Sequence, residues 1–205
     1  MNSPATGAPR VRGSRTRAAL VAGAREVFER DGLLDARIAD IASAAGVATG
    51  SFYTHFESKE DAFAAVIAEV HEETLHPRIE VPRDSDDPIA GIRAAHRAYL
   101  EAYRRNARLM ALLEQASMVD DNFRRLRLQR ADVLARRNAK SIKRLQAAGF
   151  ADPTLDPLVT AHALNAMVSR MANLVYVHGE KIGFELLLST LTQLWANALR
   201  IPPAR

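Results

Sequence analysis

The residues whose types and spacing suggest a shared chemistry lie between Arg37 and Phe56. Apolar residues from Ile38 to Ala45 recur at spacings of three and four, which places them on one face of a short helix. Gly46 suits the left-handed residue that ends a helix, and a polar run from Thr49 to His55 follows on a second short helix. In a helix-turn-helix the second helix lies in the major groove and its first residues contact base edges. The stretch predicts DNA binding, and an ordinary helical hairpin is the alternative.

The totals are compatible with that prediction but do not require it. The chain has 205 residues, which fits one large or two small domains, and 48% of them are hydrophobic. The net charge of +4 permits nucleic-acid binding. The sequence has no cysteine, no apolar run that approaches the roughly 18 residues of a membrane span, and no signal peptide. We therefore expect a cytoplasmic protein.

Strand signals are absent, so we expect an all-α chain. Proline, glycine and arginine before residue 14 predict a flexible basic arm over 1–13, which either touches DNA or only solubilises the chain. A helix-turn-helix domain is predicted over 14–58. A larger helical body is predicted over 59–205, and a proline-rich loop between Pro77 and Pro88 separates its first, connecting helix from the rest.

One predicted helix of the body, from Asp120 to Ala148, has a basic face. This face is interpreted as solvated, and the alternative is a second DNA surface or an acidic-ligand surface. Its residues are Arg124, Arg125, Arg127, Arg130, Arg136, Arg137, Lys140, Lys143 and Arg144. The last two predicted helices, Leu158 to Val177 and Phe184 to Leu199, are apolar almost all round, so they must be buried on all sides.

Motifs for catalysis are missing. The sequence contains no glycine-rich phosphate loop, no Gly-x-Ser-x-Gly and no cysteine nucleophile. His71 and His76 are five residues apart, which is about 140° around a helix and not the one-face spacing of a zinc pair. No metal and no cofactor are predicted.

Residues around the opening stretch add a more specific signature. They are Phe28, Gly32, Ile38-Ala39-Asp40-Ile41-Ala42, Ala45-Gly46-Val47, Gly50-Ser51-Phe52-Tyr53-Thr54-His55-Phe56 and Ser58-Lys59-Glu60-Asp61. This order resembles the N-terminal domain of the TetR (tetracycline-repressor) family. The resemblance implies a three-helix DNA-binding domain and a larger C-terminal helical domain for ligand binding and dimerisation. The protein would then be a homodimeric repressor that a small molecule releases from its pseudo-palindromic operator.

The resemblance also implies which residues contact DNA. Short side chains at the start of the recognition helix let the backbone approach the groove, and their hydroxyls read base edges. Tyr53 and His55 match positions that bond phosphates, and Lys59 begins the next helix, whose first amides also attract phosphate. The predicted DNA-binding residues are Arg37, Thr49, Gly50, Ser51, Tyr53, Thr54, His55 and Lys59. The alternatives are core packing for Tyr53 and plain solvent exposure for His55 and Lys59.

Three positions depart from the family pattern. Arg37 stands where members often carry threonine, so Asp35 is expected to cap the first motif helix. Ala39 removes a base contact that polar residues make there. Ala48 replaces the common serine or threonine cap of the recognition helix, and Thr49 would then cap it at the expense of base readout.

Polar or adaptable side chains in otherwise apolar helices predict an effector pocket, with plain core packing as the alternative for each. They are Tyr99, Tyr103, Met110, Phe123, His162, Asn165 and Met171. His162 and Asn165 carry the most information, because a buried polar side chain needs a partner from protein, water or ligand.

The resemblance further implies that the last two helices form a four-helix interface in a C₂ dimer. The predicted interface residues are Leu164, Val168, Met171, Val175, Leu187, Leu191, Leu194 and Trp195. The alternative is a monomer with fully internal helices. The rival functions are an architectural DNA-binding protein without an effector and a helical enzyme.

Overall fold

The computed structural model describes residues 8–75 and 87–202, and these form helices and turns without a strand. The helices are α1 (Ala8–Asp35), α2 (Ile38–Ala44), α3 (Thr49–Phe52), α4 (Lys59–Leu75), α5 (Pro88–Arg105), α6 (Ala107–Val119), α7 (Asp121–Ala147), α8 (Pro157–Tyr176) and α9 (Phe184–Leu199). The predicted all-α class is confirmed. The chain divides into two compact units, Met1–Val70 and His71–Arg205. The division therefore falls inside α4, not at its start after residue 58.

Helix α1 begins earlier than the sequence predicts. Residues 8–13, predicted as part of a flexible arm, are helical. Pro9 is tolerated in the first turn because amides there have no intrahelical acceptor. Residues 1–7 of the predicted arm lie outside the described residues. Near the other end Gly32 has φ 82° and ψ 176°, a non-helical geometry that suits glycine and kinks the chain before the element ends at Asp35.

The N-terminal unit is held together by an apolar stripe on α1. Its members are at most 1% exposed and are Leu20, Val21, Ala24, Val27 and Phe28. Phe28 meets Phe63 of α4 edge to face, with ring centroids 5.2 Å apart. Each fully buried side chain of this size stabilises the fold by about 1.5–3 kcal/mol. The recognition helix α3 is therefore supported by the packed helices α1, α2 and α4.

The C-terminal unit uses aspartate caps to start its helices. Asp87 accepts a hydrogen bond from the amide of Ile89 at 2.8 Å, with Pro88 as the first residue of α5. Asp156 accepts from the amides of Leu158 and Val159 in the same way at the start of α8. Such caps fix where each helix begins and contribute about 1 kcal/mol each.

Four helices form the core of this unit, with α7 packed along α8 and α5 along α9. Leu100, Ile142, Leu188 and Leu191 are at most 1% exposed at its centre. His76 and most of the predicted loop between Pro77 and Pro88 lie outside the described residues. No helix in the described ranges is long and apolar enough to cross a membrane.

Candidate nucleic-acid interface and interior cavity

A Schellman turn joins α2 to α3. Gly46 adopts φ 67°, the left-handed conformation that glycine takes at low cost. Its amide donates to the carbonyl of Ser43, and the amide of Val47 donates to the carbonyl of Ala42, both at 3.0 Å. These two bonds are the paired contacts of a Schellman motif. They fix the direction in which the chain leaves α2 and so the orientation of α3.

The recognition helix begins without a side-chain cap. Ala48 is the N-cap residue and Thr49 the first helical residue. The expectation that Thr49 would cap the helix is therefore wrong, because its backbone already has helical geometry. The exposed Thr49 hydroxyl is available for other hydrogen bonds. Asp35 likewise does not cap α2, since Arg37 is the N-cap residue there and Asp35 closes α1.

The predicted DNA-contacting side chains of α3 and its following turn lie mainly on one exposed surface. Thr49, Gly50 and Thr54 are exposed, and Ser51 and His55 are half-buried. Tyr53 is 61% exposed, so it is not a core residue. The aromatic residues between them point inward, with Phe52 0% and Phe56 5% exposed. Alternation of buried rings and exposed polar groups fixes α3 by its apolar side and leaves its polar side open.

Arginines near the start of α1 lie beside this surface. Arg15 and Arg17 are exposed, and the guanidinium of Arg17 stands 5.1 Å from the centroid of the Phe56 ring. Arg17, His55 and Phe56 line one shallow depression. The cation is thus held next to the predicted phosphate contact His55. Its basic character was apparent in the sequence, but its position at this edge depends on the packing of α1 against the motif.

Lys59 has a structural role that the sequence did not predict. Its Nζ donates to the carbonyls of Leu34 at 2.6 Å and Ala36 at 3.2 Å, at the end of α1. An ammonium has three donors, so one remains for a phosphate. Ser58 caps α4 as expected, accepting from the amide of Asp61 at 3.1 Å. Of the two predicted contacts, Arg37 is exposed in the loop between α1 and α2. Lys59 is the first residue of α4 and bonds to the same loop.

Close contact between α1 and α2 depends on one glycine. A Cβ at Gly23 would lie 2.8 Å from both the amide nitrogen of Ala45 and the carbonyl oxygen of Ile41. Both are backbone atoms that cannot rotate away. Gly23 therefore lets the two helix backbones approach each other, and sequence reasoning missed it because a glycine inside a helical pattern gives no local sign of its neighbour.

The C-terminal unit contains a cavity of about 820 Å³. Residues of α5, α7, α8 and α9 line it. Among them are Ile92, His96, Tyr99, Leu134, Arg137, Asn138, Lys140, Ile142, Arg144, Leu145, Phe150, Asn165, Val168 and Trp195. This volume falls in the range of small-molecule sites, which are mainly apolar with a few placed polar groups.

The predicted pocket residues divide between this cavity and other places. Tyr99 and Asn165 line it, whereas the others are absent from its lining. Tyr103 and Phe123 are each 5% exposed core residues, and Met110 and Met171 pack against the core. His162 is exposed, with Nε2 3.6 Å from a carboxylate oxygen of Asp132. Hydrogen bonding to Arg136 is the main cause that lowers the pKa of Asp132.

The lining also includes His96, which sequence reasoning missed. His96 is 6% exposed, and burial lowers its pKa to about 4, so the ring is neutral near pH 7. Its ring meets that of Trp195 edge to face with centroids 5.2 Å apart. The spacing of Ile92, His96 and Tyr99 on one face of α5 is the sign that could have identified it.

The basic face of α7 is only partly solvated. Arg137, Lys140 and Arg144 line the cavity. Arg130 is largely withdrawn from water, and burial lowers the pKa of its guanidinium to about 10. Tyr99 lies close enough to Arg130 to interact electrostatically, although burial dominates and raises the pKa of Tyr99 to about 12. The interpretation of this face as solvated is therefore wrong for Arg130 and Arg137, which are partly buried, whereas Lys140 and Arg144 are exposed at the edge of the cavity.

The predicted dimer interface needs a similar correction. Val168, Leu187, Leu191 and Trp195 are at most 6% exposed within one chain, because they pack into its core. They therefore cannot form an interface surface. Leu194 is 44% exposed, and Leu164, Met171 and Val175 are half-buried. Leu186 at 64% and Val159 at 68% are exposed apolar residues of α9 and α8 that were not predicted.

Comparison with known proteins gives the family. The model of bacterial regulatory proteins of the tetR family matches residues 20–66, the segment that holds the Schellman turn and α3. Residues 20–66 form a TetR-family DNA-binding domain. The N-terminal unit is thus the DNA-binding domain of a transcriptional regulator.

One curated relative matches this chain over most of its length. The HTH-type transcriptional repressor BepR of Brucella suis biovar 1 (strain 1330) is 28% identical over 203 residues, which cover 92% of this chain and 94% of BepR. A transcriptional regulator from Rhodococcus sp. Rha1 superimposes with a TM-score of 0.73 at 22% identity, covering 91% of this chain and 99% of that one.

A second solved structure is similar in fold. SmeT, the repressor of the Stenotrophomonas maltophilia multidrug efflux pump SmeDEF, superimposes with a TM-score of 0.71 at 19% identity. The alignment covers 93% of this chain and 94% of SmeT. The likeness therefore extends through the C-terminal unit as well as the DNA-binding domain.

Proposed function

We propose that this protein is a homodimeric transcriptional repressor of the TetR family that leaves its operator when a small molecule occupies the cavity of the C-terminal unit. The observation that carries the proposal is the exposed polar surface of α3, with Tyr53 61% exposed above the buried ring of Phe52. A repressor of this kind would act in the cytoplasm, where a bacterial operator is found. The proposal assigns it no reaction.

Two copies of α3 would enter successive major grooves, about 34 Å apart, on a pseudo-palindromic site. Hydroxyls of Thr49 and Ser51 would contact base edges, and Tyr53, His55, Lys59 and Arg37 would contact phosphates. Phosphate contacts would supply much of the affinity, so binding should weaken steeply with salt. A dimer would use the exposed apolar residues of α8 and α9 in place of the buried ones first predicted.

An effector acts only through different affinities for two conformations of the dimer. The cavity of about 820 Å³ favours a repressor controlled by an effector over an architectural DNA-binding protein that lacks one. The relative BepR is a transcriptional repressor, which supports repression as the sign of regulation here. Loss of operator binding on addition of a cavity ligand would support the repressor hypothesis and contradict the architectural one.

The test is a footprint on DNA fragments that flank the protein's own gene, with a scrambled fragment of equal length for comparison. We expect a protected pseudo-palindrome and no protection of the scrambled DNA. Tyr53→Ala should lower operator affinity about tenfold, because it removes a phosphate contact and its packing. Tyr53→Phe keeps the ring and isolates the hydroxyl. Equal binding to both fragments, or unchanged affinity in Tyr53→Ala, would contradict the assigned reading surface.

A further inference from the structure

The interior wall of the cavity has a defined hydrogen-bonding character. Nδ1 of His96 lies 3.3 Å from the hydroxyl oxygen of Thr192, and that hydroxyl donates its one proton to the carbonyl of Leu188 at 2.8 Å. The Thr192 oxygen can therefore only accept, so Nδ1 of His96 carries the ring proton. Nε2 of the neutral ring is consequently an acceptor, and within the described ranges it has no hydrogen-bond partner.

Two donors of the same wall are also unpartnered. Nε1 of Trp195 and Nδ2 of Asn165 are buried and have no partner in the described part of the chain. The Asn165 side chain is oriented because its oxygen accepts from Nδ2 of Asn138 at 2.7 Å. A buried polar group without a partner is costly, so such a group marks a place for one. The rings of His96 and Trp195 meet edge to face with centroids 5.2 Å apart, so the unpartnered acceptor and donor belong to one part of the wall.

The opening of the cavity has a different character. Arg137, Lys140 and Arg144 line it at spacings of three and four along α7, so they share one face. Lys140 and Arg144 are exposed and Arg137 is half-buried, which places them toward solvent. Asp87 is the acidic residue of the described lining, and its single negative charge, which also caps α5, offsets only part of the three positive charges. The opening therefore favours an anion.

Apolar and aromatic side chains lie between these two polar regions, including Ile92, Leu134 and Leu145. We propose that the cavity binds an amphiphilic organic acid whose carboxylate faces Arg137, Lys140 and Arg144 and whose distal hydroxyl bonds to His96 and Trp195. This inference rests on the proposed effector role of the cavity and names the chemical class of the effector. Burial lowers the pKa of Arg137, and the carboxylate of a bound ligand beside it would raise that pKa again by favouring the charged guanidinium.

Trp195 provides a direct readout, because it is the chain's single tryptophan. The probes are ω-hydroxydodecanoic acid, dodecanoic acid, which lacks the hydroxyl, and methyl ω-hydroxydodecanoate, which lacks the charge. Each is titrated, below its micelle concentration, into the full-length protein without DNA while Trp195 fluorescence is followed. We expect the hydroxy acid to bind about tenfold more tightly than the ester, since its carboxylate gains modest attractions to two exposed cations and one half-buried cation. We expect a gain of about fivefold over dodecanoic acid from the hydroxyl.

Matched substitutions on α7 test the opening. Lys140→Gln and Lys143→Gln remove neighbouring exposed charges, but only Lys140 lines the cavity. Lys140→Gln should weaken the hydroxy acid about threefold and leave the ester unchanged, and Lys143→Gln should affect neither. Trp195→Phe, followed by calorimetry, should abolish the advantage of the hydroxy acid over dodecanoic acid. Equal effects of the two lysine substitutions, or equal binding of acid and ester, would overturn the proposal.

Operator release separates this inference from the proposed function. If the hydroxy acid binds as expected and the operator complex persists, the ligand class holds and the effector role fails. If neutral or cationic compounds release the operator while all three probes fail to bind, the effector role holds and the proposed ligand class is wrong.

Discussion

The turn between α2 and α3 and the cavity of the C-terminal unit differ in how far apart in the sequence their essential contacts lie. In the turn, the amide of Val47 bonds to the carbonyl of Ala42, and Gly46 supplies the positive φ between them. In the cavity, His96 bonds to Thr192, which is 96 positions away in the chain. The turn that orients α3 is formed by residues close together in the sequence. The cavity is formed by residues far apart in the sequence that only the tertiary fold brings together.

That difference affects what each region can tolerate. A turn set by local hydrogen bonds keeps its shape while the side chains of α3 change, so readout can vary without loss of the motif. A cavity wall holds polar atoms whose partners lie on other helices, and each change disturbs several of them. In the DNA-binding domain the turn geometry can stay fixed while the base-contacting side chains change. The ligand specificity of the cavity depends on tertiary packing and cannot be inferred from local sequence.

The strongest challenge to this comparison is Gly23, because it makes the DNA-binding domain depend on a contact between helices. Gly23→Ala places a Cβ 2.8 Å from two backbone atoms of α2. We expect the free energy of unfolding of the N-terminal unit to fall by about 3 kcal/mol, the upper range for overpacking against atoms that cannot yield. Urea unfolding followed by circular dichroism measures this loss, and operator affinity should fall with it.

Gly13→Ala is the matched control in the same helix, since a Cβ there meets no atom within 4 Å. It should stabilise the helix by about 0.5–1 kcal/mol through propensity alone. If both substitutions had the same sign, the close approach of α1 and α2 would not be what Gly23 provides.

Sequence reasoning succeeded where the cause is local. The stop at Gly46 follows from the backbone preference of one residue, which takes the positive φ that ends α2. It failed where the cause is a partner elsewhere. Nothing beside Lys59 indicates that its ammonium bonds to the end of α1, and nothing beside Trp195 indicates that it lines a cavity.

The cavity makes the pH dependence of stability a further test. Burial lowers the pKa of His96 from 6.5 to about 4. The unfolded chain therefore binds a proton that the folded chain rejects between these values. The stability associated with the neutral ring is complete above pH 6.5 and is lost as pH falls toward about 4. The full difference corresponds to about 3 kcal/mol, and competing titrations will reduce what is observed.

The measurement compares wild type with His96→Phe, which keeps a ring against Trp195 and cannot take a proton. Thermal unfolding across the same pH range should show a shallower acid loss in the variant, by about 2 kcal/mol at the acid end. Parallel profiles would mean that His96 has water access and an ordinary pKa, and the cavity wall would then be less dry than its packing indicates.

Lys59 provides the test with the smallest expected effect. It is a predicted DNA contact, and it also makes tertiary hydrogen bonds to the end of α1 and the loop after it. Lys59→Met keeps the length of the side chain and removes the bonds to the carbonyls of Leu34 and Ala36. We expect a loss of about 1 kcal/mol in the free energy of unfolding, since the side chain is partly exposed and water can replace it at the carbonyls. Lys143→Met, an exposed lysine on α7, should change stability little.

The salt dependence of operator binding then decides whether Lys59 also contacts DNA. If its third donor neutralises a phosphate, the slope of log affinity against log salt should become shallower by about 0.9 per recognition helix. An unchanged slope with lowered stability would assign Lys59 to the fold alone. In that case its position at the start of α4 would matter to the operator only because it anchors the loop between α1 and α2, and with it the exposed Arg37.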